Sequence, residues 1–103
     1  MRTLVIPTPV QSDDDAIQML SAWIAERVLH CTMNVGMWHA EGRDEPAAWG
    51  ILLADVVRHL ANAIESERGV AADDVIADIV ESLNEELDNR TSKGNGEFHP
   101  GHC

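Results

Sequence analysis

From Leu29 to Trp38 the chain alternates. Leu29, Cys31, Met33, Val35 and Met37 interleave with His30, Thr32, Asn34, Gly36 and Trp38. A period of two marks a strand with one face turned to a core and the other turned away. Such a strand needs neighbours, and the sequence offers few. One other strand is predicted, Thr3 to Ile6, closed by Pro7 and Pro9. Proline cannot donate to a ladder, so this strand is short or at an edge. Two strands make a poor sheet, since three or more are normally needed for stability. Part of the long strand is then left without a partner in its own chain, and an exposed edge invites pairing with a second copy. Asn34 and Gly36 leave open a bend or a tight hairpin.

The rest of the chain reads as helix. Ser12-Asp13-Asp14-Asp15 has the form of a capped start, with acids suited to the positive end of the helix dipole. Ala16, Ile17, Leu20, Trp23 and Ile24 follow at helical spacing, predicting a first helix that ends near Arg27. Asp44 and Pro46 suit the start of a second helix. Trp49, Leu52, Leu53, Val56, Val57, Leu60, Ala63 and Ile64 then hold one apolar stripe. This helix is predicted from about Glu45 to Glu67, with Gly69 able to take the left-handed conformation beyond its end. A third helix, about Ala71 to Leu87, turns Val75, Ile76, Ile79, Val80, Leu83 and Leu87 inward. Its other face is acidic: Asp73, Asp74, Asp78, Glu81, Glu85, Glu86 and Asp88. From Asn89 the periodicity is lost, which predicts a disordered tail over 89–103. The expected fold class is α+β, a single domain over 1–88 in the order β-α-β-α-α, with three helices packed on a minimal sheet.

Charge narrows the functional classes. Eighteen acidic residues stand against seven basic, a formal charge of -11. Direct binding of nucleic acid needs a basic face, and docking on anionic lipid needs the same. No run approaches the ~20 apolar residues of a membrane span. Met1 to Pro7 is too short in apolar residues for a signal peptide. Cys31 and Cys103 do not make a disulfide framework. Together these predict a reduced, cytoplasmic protein with no direct nucleic-acid or membrane partner.

Four groups of residues have side chains suited to chemistry. Asp55, Arg58, His59 and Asn62 fall at i, i+3, i+4 and i+7, on one face of the second helix. They form either a small-molecule or metal-dependent site, with Asp55 orienting His59, or a solvated polar face. The second is the plainer reading, because spacing supplies no third or fourth ligand for a metal. His30, Thr32 and Asn34, with Trp38, form the outer face of the long strand, a mixture of polar groups and an aromatic that suits a partner interface. His99, His102 and Cys103 are metal-binding residue types, but a Pro-Gly spacer does not preorganise them. Cys31 has His30 beside it, yet strand neighbours point to opposite faces, so Cys31 reads as a structural thiol. Nucleophile-elbow, zinc-protease, Cys-x-x-Cys and phosphate-loop motifs are missing, which leans against an enzyme and implies no cofactor.

Pro46-Ala47-Ala48-Trp49-Gly50-Ile51-Leu52-Leu53-Ala54-Asp55-Val56, followed by Arg58-His59 and Ala61-Asn62-Ala63, resembles the signature of a domain-of-unknown-function family of small alphaproteobacterial proteins. Met1-Arg2 with Leu4, Ile6 and Pro7, and Gly36 with Trp38, are similar to it as well. The likeness covers roughly residues 1 to 88; the loop before Pro46 is longer than that pattern, and the tail is this chain's own. The resemblance implies a compact α+β domain in a bacterial cytoplasm, and it supplies no activity or catalytic residue. The expectation is a non-enzymatic interaction or adaptor domain that pairs with itself as a homodimer. The alternative is an acidic inhibitor that occupies a nucleic-acid-binding protein through the carboxylates of the third helix.

Overall fold

The computed structural model describes residues 1–89 in full and the backbone of residues 94–100. In chain order the elements are α1 (Thr8–Gln11), β1 (Leu20–Ala25), β2 (Val28–Val35), α2 (Met37–Ala40), α3 (Glu45–Arg68), α4 (Ala72–Asp88) and β3 (Gly94–Pro100). The α+β class holds, but the order does not, and there are four helices among the described residues rather than three.

The alternating segment is β2, and it is the centre of the sheet. β1 pairs with it antiparallel, Leu20 opposite Met33 through Ala25 opposite Val28. β3 pairs with its other edge in parallel, Leu29 opposite Gly94 through Val35 opposite Pro100. Both edges of β2 are therefore occupied, which corrects the expectation of a free strand edge. The strand stops at Gly36, whose φ of 105° breaks the extended run. Met37 and Trp38, expected to finish the strand, instead open α2.

The first helix expected over Ser12–Arg27 does not form. Ser12 terminates α1 instead of starting a helix, its hydroxyl bonding back to the Thr8 and Pro9 carbonyls. Asp13 accepts from the Asp15 backbone N–H at 2.9 Å, an Asx-type turn. Beyond it, Leu20, Ala22 and Ile24 obey a period of two as well as Leu20, Trp23 and Ile24 obey 3.6. The hairpin decides between them: Glu26 and Arg27 both adopt left-handed φ, 54° and 63°, the backbone of a two-residue primed turn. The strand expected at Thr3–Ile6 finds no ladder partner among the described residues. The segment read as a disordered tail supplies β3 from residue 94; residues 90–93 and 101–103 lie outside the described residues.

The second and third predicted helices are α3 and α4, each within a residue of the expected ends. Asp44 caps α3 by accepting from the Ala47 N–H at 3.3 Å, and Gly69 closes it at φ 72°. Glu65 reaches across the turn and accepts from the Ala72 N–H at 2.8 Å, tying the start of α4 to the last turns of α3. The two helices pack on each other with Ala61 and Val75 buried in their seam, and α2 packs on α3.

Candidate interaction surface

The polar group on α3 stays in solvent. Asp55 and Arg58 form an ion pair, with both side chains 58% exposed. His59 and Asn62 are exposed as well. The four residues lie along one face of α3, and none of the described residues closes over them. Among the described residues no three His, Cys, Asp or Glu side chains are grouped to hold a metal. The acids of α4 are likewise mostly in solvent. Of the carboxyl-terminal residues considered for a metal, His102 and Cys103 lie outside the described residues, as does the side chain of His99.

His30, Thr32 and Asn34 do share one face of β2, with Asn34 buried and the other two half-buried. Cross-strand pairing places Trp23 beside His30 and Ser21 beside Thr32 on that face. The Trp23 indole N–H donates to the Ser21 hydroxyl at 2.8 Å. Trp38 is not part of this group. It sits in α2 and meets Trp49 of α3 edge to face, with ring centroids 5.5 Å apart. That is a favourable aromatic geometry, and it anchors the short helix.

Glu45 organises this junction. One carboxylate oxygen accepts from the His39 N–H at 2.9 Å; the other accepts from the Trp49 indole at 2.9 Å and the Gly36 N–H at 3.3 Å. Partial burial of the carboxylate works to raise its pKa. The His39 and Gly36 backbone donors, the Trp49 indole and the nearby His39 ring outweigh that and hold it below its ordinary value. In the sequence Glu45 stands out only as the start of a helix. The available signal was its i, i+4 spacing to Trp49, which puts a carboxylate within reach of an indole donor.

The opposite face of the hairpin is apolar throughout: Leu20, Ala22 and Ile24 stand opposite Met33, Cys31 and Leu29. The odd-numbered residues of β2 were expected in a core: Cys31, Met33 and Val35 are half-buried, while Leu29 is 46% exposed and its cross-strand partner Ile24 83%. Cys31 is a half-buried free thiol on this face, opposite in direction to His30. On the helices a similar surplus appears. Leu53, Val56 and Leu60 on α3, and Val80, Leu83 and Leu87 on α4, are exposed at i, i+3, i+7 spacing. By length and composition α3 could cross a membrane, while almost none of it is buried inside the chain. Its ionised Asp55–Arg58 pair sits mid-helix, a costly placement in lipid and an ordinary one beside water.

Residues 3–91 match the profile of a family described as "Domain of unknown function (DUF5076)". The chain belongs to the DUF5076 family. Among solved structures, the DUF5076 chain is similar to one described as a "putative pyruvate dehydrogenase from the photosynthetic bacterium Rhodopseudomonas palustrus CGA009". The two are 27% identical, the alignment covers 94% of each chain, and the TM-score is 0.68. No curated protein matches the DUF5076 chain.

Proposed function

We propose that this DUF5076 domain is a non-enzymatic protein-interaction module whose working unit is a pair of identical copies. The observation that carries the reading is the number of large apolar side chains that the described residues leave in water, among them Ile24, Leu29, Ile51, Leu53, Leu60, Leu83 and Leu87. Exposed apolar surface that is contiguous marks an interaction site.

The description of the solved neighbour belongs to that protein, and the described residues lend it no support here. Two concave surfaces among the described residues are open grooves. One, along α4, is lined by Ser82, Glu85, Glu86 and Asn89; the other, between α3 and α4, has Ile64, Val75, Ile79 and Leu83 in its lining. An active site ordinarily combines a closed apolar pocket with a few convergent polar groups. Light scattering on the full chain tests the proposal. The expected mass is twice 11.3 kDa at micromolar concentration; a mass of one chain at every concentration overturns it.

A further inference from the structure

Resting on that reading of a paired molecule, we infer that the two copies exchange a strand: residues 3–6 of each copy add to the outer edge of β1 in the other. The ladder defines that edge. β1 is an outer strand of the sheet, whose order is β1-β2-β3. The Asn34 N–H donates to the Met19 carbonyl at 2.9 Å. In an antiparallel ladder bonded and non-bonded positions alternate, so Ser21, Trp23 and Ala25 are the β1 residues bonded to β2. The backbone groups of Leu20, Ala22 and Ile24 point the other way, and no ladder partner meets them among the described residues. An unpaired edge is a template for another strand, and proteins ordinarily blunt it with charge, proline or a bulge. β1 uses none of these. Leu20–Ala25 has no charged residue and no proline, and it pairs with β2 in unbroken register.

The donor strand is in the same chain. Thr3, Leu4, Val5 and Ile6 are uncharged and mostly β-branched, the composition of a strand. Pro7 holds the preceding Ile6 toward extended backbone. Leu4 is 95% exposed, Val5 90% and Ile6 61%. Local bonds fix the base of this arm. The Gln11 side chain donates to the Ile6 carbonyl at 2.7 Å, and the Pro7 carbonyl accepts from the Val10 and Gln11 N–H groups. The Asp13 N–H donates to Val10 and the Ala16 N–H to Asp13, while no backbone bond joins residues 1–6 to β1 among the described residues. One chain thus carries an unpaired strand-forming segment and an unpaired strand edge, and pairing between copies satisfies both. Joining β1 to β1 of a second copy would satisfy the edge alone and leave the arm in water. Main-chain bonds supply the affinity in such strand addition, and exchange of an identical element is a low-cost route to a dimer. Arg2, the charged residue of the arm, is cationic in a chain of formal charge -11, which favours its approach to another copy.

Isotope-filtered NMR on the full chain tests the exchange. Equal amounts of heavy-isotope and unlabelled chain are mixed and refolded together, and contacts between unlike copies are recorded. The expected contacts join residues 3–6 of one copy to Leu20, Ala22 and Ile24 of the other. The amides of those three β1 residues should exchange with deuterium as slowly as those of Ser21 and Trp23, which are bonded to β2. Leu4→Pro combined with Val5→Pro removes whichever N–H faces the edge, since successive strand amides point to opposite sides. The double variant should scatter as one copy at a concentration where the native chain scatters as two. A dimer overturns the exchange and leaves self-association standing if its contacts between copies join β1 to β1 or to helices, if residues 3–6 meet β1 of their own copy, if the Leu20, Ala22 and Ile24 amides exchange fast, or if the double variant keeps the dimer mass. A native chain that scatters as one copy at every concentration overturns both.

Discussion

At the scale of single residues, Glu45 does the most. Its carboxylate joins the left-handed break at Gly36, the first turn of α2 and the indole of Trp49. Since its folded pKa lies below the ordinary 4.5, the charged form is favoured by folding. The stability it contributes is present above that value and is lost as the pH falls through the lowered folded pKa. We expect the melting temperature of the native chain to fall more steeply below pH 4.5 than that of Glu45→Gln. Parallel profiles from calorimetry contradict this role. The hairpin turn gives a second prediction. Glu26 and Arg27 hold a conformation that costs an L residue roughly 1–2 kcal/mol each and suits Asn-Gly. Replacing the pair with Asn-Gly is expected to stabilise the protein by about 1 kcal/mol, read as a higher denaturant midpoint. A lower midpoint contradicts the turn.

The elements divide by how local their signals are. α3 and α4 were legible because caps and periodicity agree: Asp44 starts α3, Gly69 ends it, and the stripe from Trp49 to Ile64 admits no other period. β2 was legible for the same reason as far as Val35. β1 was not, because Leu20 and Ile24 satisfy both periods and Glu-Arg is not a recognisable primed-turn sequence. β3 was not legible either, since Gly94 to Pro100 has little apolar content and takes its place by pairing along β2. Within the candidate site, the shared faces of Asp55, Arg58, His59 and Asn62 and of His30, Thr32 and Asn34 were legible, but their exposure was not, since burial depends on where whole elements sit. Two tests follow. Because the α3 group is solvated, Asp55→Ala and His59→Ala should each cost under about 0.5 kcal/mol. The Asp55–Arg58 coupling in a double-mutant cycle should be about 0.3–0.5 kcal/mol; a coupling several times larger means the face is covered. Truncation after Asp88 removes β3 and bares one edge of β2. It should cost about 1 kcal/mol or more, a fall of about 4–8 °C for a domain of this size. An unchanged melting temperature means that β3 contributes nothing.

For the whole molecule, the governing fact is a mismatch between sequence and single-chain structure. Hydrophobic residues make up 45% of the chain, enough for an ordinary core. Yet among the described residues the buried apolar side chains are Ala61 and Val75. Residues patterned for burial, such as Ile24, Leu29, Val56 and Leu83, stand in water in one copy. Under the proposed pairing they find a core with a second copy, folding and association are one process, and stability depends on concentration. The most direct test is the denaturant midpoint of the full chain measured over a hundredfold range of protein concentration. A coupled dimer gains about 1.4 kcal/mol of apparent stability for each tenfold rise, so the midpoint should climb steadily with concentration. A midpoint that stays fixed across that range, in a chain whose scattering mass is that of one copy, would contradict the account.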